Sequence, residues 1–384
     1  MSRGVSFDPF TDEALADPYP LYARLRRDDP VHWSDKLRSW LLVRYDDVSA
    51  ALRDDACFSA ERRRGGTDGL RTVTSDPPAC LPVRAMLNAV LAPRVRAIGP
   101  RIDALVSGLL ESAAARGSQL DLIADVAYPL PIAVIAELLG VPDADRVRFA
   151  EQSRAIARGM DRFYGGDEVS AGLREIGAYF LGLVEERRGT PGDDLVRRLL
   201  AVEHHGDRLT DLEVVALCSA LVFGGHETTV NLIGNGMLAL LGHADALAAL
   251  RATPSLVGTA VEELLRYDGP AQLVSRIARA DVELGGKRIH AGDAVLLGLG
   301  AANRDPDLFP DPDRLDVARS PNPHLAFGLG THFCPGAQLS RMEARAVVTG
   351  LLACFPRLRL AEAPPVRRRT AVLRGLERLP VRID

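Results

Sequence analysis

FGLGTHFCPGAQLSR, residues 327–341, is the stretch on which the reading of this chain turns. A cysteine standing alone is ordinarily a small core residue, because free Cys buries readily. The flanks of Cys334 argue otherwise. Phe327, Gly328 and Gly330 describe a bent loop whose backbone can come close to a flat ligand, since glycine puts no side chain in the way. After Cys334, Pro335 and Gly336 lead into an amphipathic run. The sulfur therefore stands at a helix N-terminus, where the dipole and free N–H groups favour a thiolate over a thiol. A dinucleotide-type phosphate loop is excluded, because the third glycine position after Gly328 and Gly330 holds Phe333.

Outward from that loop, the chain has the composition of an ordinary globular protein: 384 residues, 47% hydrophobic, 26% charged. Its 51 acidic and 47 basic residues leave a net charge of -4, which argues against a general nucleic-acid binder. Nearly all the positive charge is Arg, with Lys36 and Lys287 as the lysines. The five cysteines, at 57, 80, 218, 334 and 354, are scattered and form no CxxC pair. The opening MSRGVSFDPF has no apolar run, so it reads as neither a secretory signal nor an anchor. No stretch reaches the roughly 20 apolar residues of a membrane helix, and the expected location is the cytoplasm.

Most segments read as amphipathic helices joined by Pro- or Gly-marked turns, among them 20–27, 46–52 and 83–91. Residues 121–140 are apolar almost all round. They suggest a buried helix broken near Pro129 and Pro131 and stopped at Gly140. Thr210 and Glu213 have the spacing of a capping box at the start of a helix running to about Leu241, roughly 48 Å long. Gly224 and Gly225 fall near its middle, where two helix-weakening residues together need a reason. Strand-like alternation is sparse: 39–44, and 281–297 read as a hairpin turning at Gly285-Gly286. The expected architecture is mainly α with small β-sheets, one domain over 1–384.

Two further motifs stand out. FGGHETT, residues 223–229, is not a zinc site, because HExxH would need a His where Val230 stands. Its bland reading is a kinked helix whose Thr hydroxyls bond back to the preceding turn. Glu263 and Arg266 lie at i, i+3 on one helix face, which alone would be a surface ion pair worth about 0.3 kcal/mol.

The spacing F-G-x-G-x-H-x-C-x-G across 327–336 resembles the haem-binding loop of the cytochrome P450 family, specifically its soluble bacterial members. A thiolate is what an iron ligand needs to push electron density towards bound oxygen. The resemblance implies a single P450 fold with haem b (iron protoporphyrin IX) between the long central helix and the Cys-loop helix. It makes Cys334 the iron ligand, places Phe327 and Gly328 against the haem, and sets His332 on a propionate. The run 224–228 resembles the family's [AG]-G-x-[DE]-T, so Thr228 holds a water beside bound oxygen and Glu227 relays protons to it. Glu263, Arg266 and, from FPDPDRLD, Arg314 match a buried network that holds the Cys loop, with Leu315 where Phe is usual. DPPACLPVR, 76–84, keeps the propionate Arg84 but has Cys80 in place of the family's His and a departure at Pro82. Cys80 itself reads as buried and inert. Arg276, six residues beyond Pro270, matches the second propionate Arg.

The expected activity is therefore a haem-thiolate monooxygenase, inserting one oxygen atom from O2 into a small to medium apolar molecule in secondary metabolism. Hydroxylation is the default outcome. The chain has no flavin or iron–sulfur segment, so the expected electron donors are a separate ferredoxin and ferredoxin reductase, steered by arginines such as Arg341 and Arg345. No nucleic acid or membrane partner is implied, and the chain reads as a monomer. A peroxide-driven peroxygenase or an oxidative-coupling enzyme is the alternative, although the former tends to lose the Glu–Thr pair. A non-catalytic recruitment domain of the same fold is the alternative outside enzymes. By resemblance the pocket is lined from 61–73, 155–172, Leu217–Phe223 and Leu273–Ser275, with FYGG (163–166) as a flexible lid.

Overall fold

Side-chain caps mark some of the helix starts, as at Thr11 and Asp194. In the computed structural model, which describes residues 6–61, 70–159 and 167–384, the longest helix spans Asp211–Gly242. It opens with the predicted capping box. The Thr210 N–H donates to Glu213 Oε2 at 2.8 Å, and the Glu213 N–H donates back to Thr210 Oγ1 at 3.3 Å. Residues 62–69 and 160–166, the latter including FYGG, lie outside the described residues.

The contacts resolve into two compact units where one domain was expected, and each is drawn from three separated segments. The first unit comprises residues 1–64, 234–334 and 362–379. Its five-stranded sheet runs in the order Val31–Ser34, Ser39–Leu42, Ala294–Gly298, Leu273–Ala278, Phe58–Ser59. Val295 is the register point, parallel to Trp40 on one side and antiparallel to Arg276 on the other. Val31, Leu42, Val48, Leu52, Val295 and Leu297 pack into its core. Full burial of such side chains contributes about 1.5–3 kcal/mol each.

The expected hairpin over 281–297 is shorter than predicted. Val282–Leu284 pairs with Lys287–Ile289 around Gly285 (φ 57°) and Gly286 (φ 73°), a turn that needs positive φ at both positions. A second turn at His290–Asp293, containing Gly292 at φ 96°, then redirects the chain. Ala294–Gly298 therefore joins the five-stranded sheet instead of extending the hairpin.

The second unit, residues 65–233, 335–361 and 380–384, is built mainly of helices. In 121–140 the chain makes a wide π-type turn over Ile123–Ala127 and then an α-helix over Pro129–Leu139, so the break falls where the prolines predict it. Nine of that helix's eleven residues are buried, which marks it as core. It ends at Gly140 in the left-handed region, φ 72°. The helix after the Cys loop spans Ala337–Cys354, and a Cβ at its Gly350 would lie 3.0 Å from Leu110 and Val106, so the helix Gly99–Ala114 approaches it closely. Among the described residues no single helix is long and apolar enough to cross a membrane.

Candidate active site

In the first unit the Cys loop is folded by its own backbone. The Cys334 N–H donates to Phe327 O at 3.0 Å, the Gly328 N–H to Leu325 O at 2.8 Å, and Gly330–His332 form a single tight turn. Gly328 and Gly330 sit at φ 69° and 71°, where an L side chain is strained. The two glycines serve different ends. A Cβ at Gly330 would come within 2.8 Å of Leu52 O, so this glycine lets the loop press against the chain beside it. A Cβ at Gly328 would meet nothing nearer than His332 O at 3.9 Å, so one face of the backbone is left open.

Cys334 is neither buried nor fully exposed, unlike Cys80 and Cys218, which are buried. For Cys218, burial pushes the thiol's pKa well up and keeps it protonated. An open glycine face beside a part-exposed thiol fits a flat macrocycle with a soft-ligand metal centre. Haem meets that description.

Sequence reasoning missed what holds the loop from below. Thr331 Oγ1 donates to Asp55 Oδ2 at 2.6 Å, and His332 Nε2 lies 3.7 Å from Asp55 Oδ1. One carboxylate thus fixes Thr331 and faces the imidazole of the next residue, which is assigned to a propionate. No local pattern around Asp55 announces this, because its partners are more than 270 positions away.

Glu263 and Arg266 are fully buried, as the resemblance implies. Arg266 donates to the carboxylate through Nε at 2.7 Å and Nη2 at 2.8 Å, to Asn303 O and Pro312 O through Nη1, and to Arg314 O through Nη2. All five of its N–H groups are satisfied. The third arginine is a correction. Arg314 is exposed and contributes only its carbonyl, while the guanidinium on the carboxylate is that of Arg319, with Nε at 3.2 Å. The chain turns after the buried Leu315, so the arginine side chain that reaches back to Glu263 comes five residues after Arg314. Asn322 Nδ2 and the Asp316 N–H complete the carboxylate's partners at 3.1 and 3.0 Å.

Arg276, 8% exposed on the strand Leu273–Ala278, is steadied by Nη1 donating to Ser275 O at 2.9 Å. The first unit thus holds Cys334, Phe327, Gly328, His332, Arg276, Glu263 and Arg266.

The second unit holds Glu227, Thr228 and Arg84. The long helix continues without interruption through Gly224 and Gly225. Neither glycine is demanded by packing: a Cβ at Gly225 would make only an ordinary 3.5 Å contact with Ile135, and one at Gly224 would meet nothing within 4 Å. Thr228 Oγ1 donates to Gly224 O at 2.6 Å, the back-bonding anticipated for this motif. Its proton is thereby committed, and its lone pairs remain to accept. Glu227 is fully buried beside it. Thr229 Oγ1 meets Ser340 Oγ at 3.1 Å and ties the long helix to the helix Ala337–Cys354. His226 packs on Tyr128, ring centroids 4.7 Å apart, and reaches its carbonyl at 3.2 Å. Arg84 donates through Nη1 to Val73 O at 3.2 Å. Cys80, at the first position of its helix, is fully buried as expected.

Comparison with known proteins agrees with these motifs. Residues 255–373, which contain Glu263, Arg266, Arg276 and the Cys loop, match the family model described as Cytochrome P450. The chain is 41% identical to the cytochrome P450 monooxygenase PikC of Streptomyces venezuelae, over 96% of this chain and 91% of that one. It is 40% identical to the vitamin D(3) 25-hydroxylase of Pseudonocardia autotrophica, over 97% of this chain and 96% of that one. Among solved structures, the cytochrome P450 PksS of the Bacillus subtilis bacillaene polyketide synthase superposes with a TM-score of 0.91 at 35% identity, covering 98% of this chain and 100% of that one.

Proposed function

The chain belongs to the cytochrome P450 family, and from that premise we propose that it hydroxylates a small to medium apolar molecule of secondary metabolism, drawing electrons from a separate ferredoxin and its reductase. The class is that of a haem-dependent monooxygenase acting on a small molecule with O2. The observation that carries the finer reading is Cys334, part-exposed on a loop whose Gly328 leaves a backbone face open.

In this reading Cys334 would hold the haem iron through its thiolate, Phe327 and Gly328 would lie against the macrocycle, and Arg84, Arg276 and His332 would hold the propionates. Haem, when bound, supplies the activation of O2. Thr228 Oγ1, its own proton given to Gly224 O, accepts a hydrogen bond from a water and so orients it. Glu227, buried beside it, relays protons from solvent to that water. Glu263, Arg266 and Arg319 take no part in proton transfer and hold the loop that presents Cys334. The chain acts as one domain over 1–384. Each compact unit draws on three separated segments, so no single cut of the chain yields either.

Turnover assays separate this reading from its rivals. Purified enzyme given O2, NAD(P)H and a surrogate ferredoxin with its reductase should convert apolar macrolide- or steroid-sized compounds to products one oxygen atom heavier. Product formation supported by peroxide alone would make it a peroxygenase. No product under either condition, over a panel whose members shift the haem absorption band, would favour a recruitment role.

A further inference from the structure

The start of the long helix is tied to a charged side chain that the capping box alone does not require. The capping residue Glu213, 3% exposed, accepts from Arg71 as well as from the Thr210 N–H. Arg71 Nε lies 2.6 Å from Oε1, and Nη2 lies 3.0 Å from Oε2. The same guanidinium pairs through Nη1 with Asp207, and Nη2 reaches Arg208 O at 3.3 Å. It is thus held in two carboxylates and one carbonyl, with the fork geometry that only Arg offers.

The next residues form a small closed turn. The Thr72 N–H donates to Ser75 Oγ at 3.0 Å, the Ser75 N–H returns to Thr72 O at 3.3 Å, and the Thr72 and Thr74 hydroxyls meet at 3.1 Å. From the middle of that turn, Val73 O receives Arg84 Nη1 at 3.2 Å. A continuous path therefore runs from the helix cap through Arg71 and a self-bonded four-residue turn to the guanidinium of Arg84. In this chain the path has added weight. Cys80, where the family carries a His, is fully buried and offers no cationic group, so Arg84 is the second unit's propionate ligand without that companion.

We propose that Arg71 is a positioning residue for the haem. By clamping the 71–75 turn to Glu213 and Asp207 it fixes Val73 O, and Val73 O holds the Arg84 guanidinium in the orientation that grips a propionate. The proposal rests on the reading of Arg84 as a propionate ligand.

The test is the rate at which purified holoenzyme surrenders haem to excess apomyoglobin, followed by the Soret band. Arg84→Gln should release haem roughly tenfold faster than the wild type, the scale of one charge-assisted hydrogen bond. Arg71→Gln should release it several-fold faster, and Arg71→Lys, which keeps the charge but not the fork, should fall between that variant and the wild type. The double variant should be no faster than Arg84→Gln alone, because the two residues act in series. A wild-type rate in Arg71→Gln, with a fast rate in Arg84→Gln, would overturn the proposal and leave the Arg84 reading intact. Full multiplication of the two effects would do the same, showing general loosening instead of placement. A wild-type rate in Arg84→Gln would remove the Arg84 reading and the proposal together.

Discussion

Thr228 gives its hydroxyl proton to the carbonyl of Gly224, one helical turn back, at 2.6 Å. The bond fixes the rotamer of Thr228 and leaves its oxygen as an acceptor, which suits a group that orients water more than one that donates a proton itself. Thr228→Ala should therefore bind haem and give wild-type ligand spectra. Product formation should fall by about a hundredfold, the lower end for a lost acid–base contribution, while NAD(P)H oxidation continues and the missing electrons appear as free hydrogen peroxide. Stoichiometry of product against NAD(P)H checks this, and a Thr228→Ala enzyme that remains fully coupled would remove Thr228 from the relay.

The three arginines near Glu263 should behave very differently. Breaking a buried, fully hydrogen-bonded pair costs about 3–5 kcal/mol, so Arg266→Ala should fold poorly or not at all. Arg319→Ala removes one 3.2 Å contact to the same carboxylate and should cost about 1–3 kcal/mol. Arg314→Ala removes an exposed side chain and should stay within about 0.5 kcal/mol of wild type. Urea denaturation of the three holoproteins orders them, and Arg314→Ala costing more than Arg319→Ala would reverse the assignment.

The glycines offer a second contrast. Gly224→Ala adds a methyl where nothing lies within 4 Å, and should stabilise the helix by up to about 1 kcal/mol. Gly330→Ala places a Cβ 2.8 Å from Leu52 O at φ 71°, and should distort the loop that carries Cys334. Thermal midpoints should rise for the first, and haem occupancy on purification should fall for the second.

Glu343, on the helix after the Cys loop, is 1% exposed, and its Oε2 has no hydrogen-bond partner among the described residues. Burial holds its pKa well above the ordinary value, so the folded protein keeps the carboxylic acid neutral. The unfolded chain loses that proton above roughly pH 4.3 while the folded one retains it, so stability falls as pH rises between the two values. Glu343→Gln removes this penalty. Its advantage over wild type, measured by denaturant unfolding, should grow from pH 5 to pH 7, and a pH-independent difference would mean that Glu343 is ionised in the folded state.

What the sequence disclosed was what lies close along the chain. The Cys loop, the Thr210–Glu213 cap, the Glu227-Thr228 step and the Glu263–Arg266 pair are patterns of spacing, and spacing within one turn or loop fixes local geometry directly. Arg319 escaped because the arginine nearer in register, Arg314, matched the motif, and only the path of the turn after Leu315 shows which side chain reaches back. Asp55 and Arg71 escaped because each acts across a long stretch of chain, on Thr331 and on Glu213, with no periodicity linking the partners. The short hairpin was misjudged because Gly292 adds a second turn that an alternation of apolar residues does not reveal.

The central claim is that Cys334 is the thiolate ligand of a haem iron, and a carbon monoxide difference spectrum of the reduced protein tests it most directly. The wild-type protein should show the red-shifted Soret band of a thiolate-ligated haem, and Cys334→Ala should lack it. A wild-type spectrum without that band, or a Cys334→Ala spectrum that keeps it, would contradict the assignment.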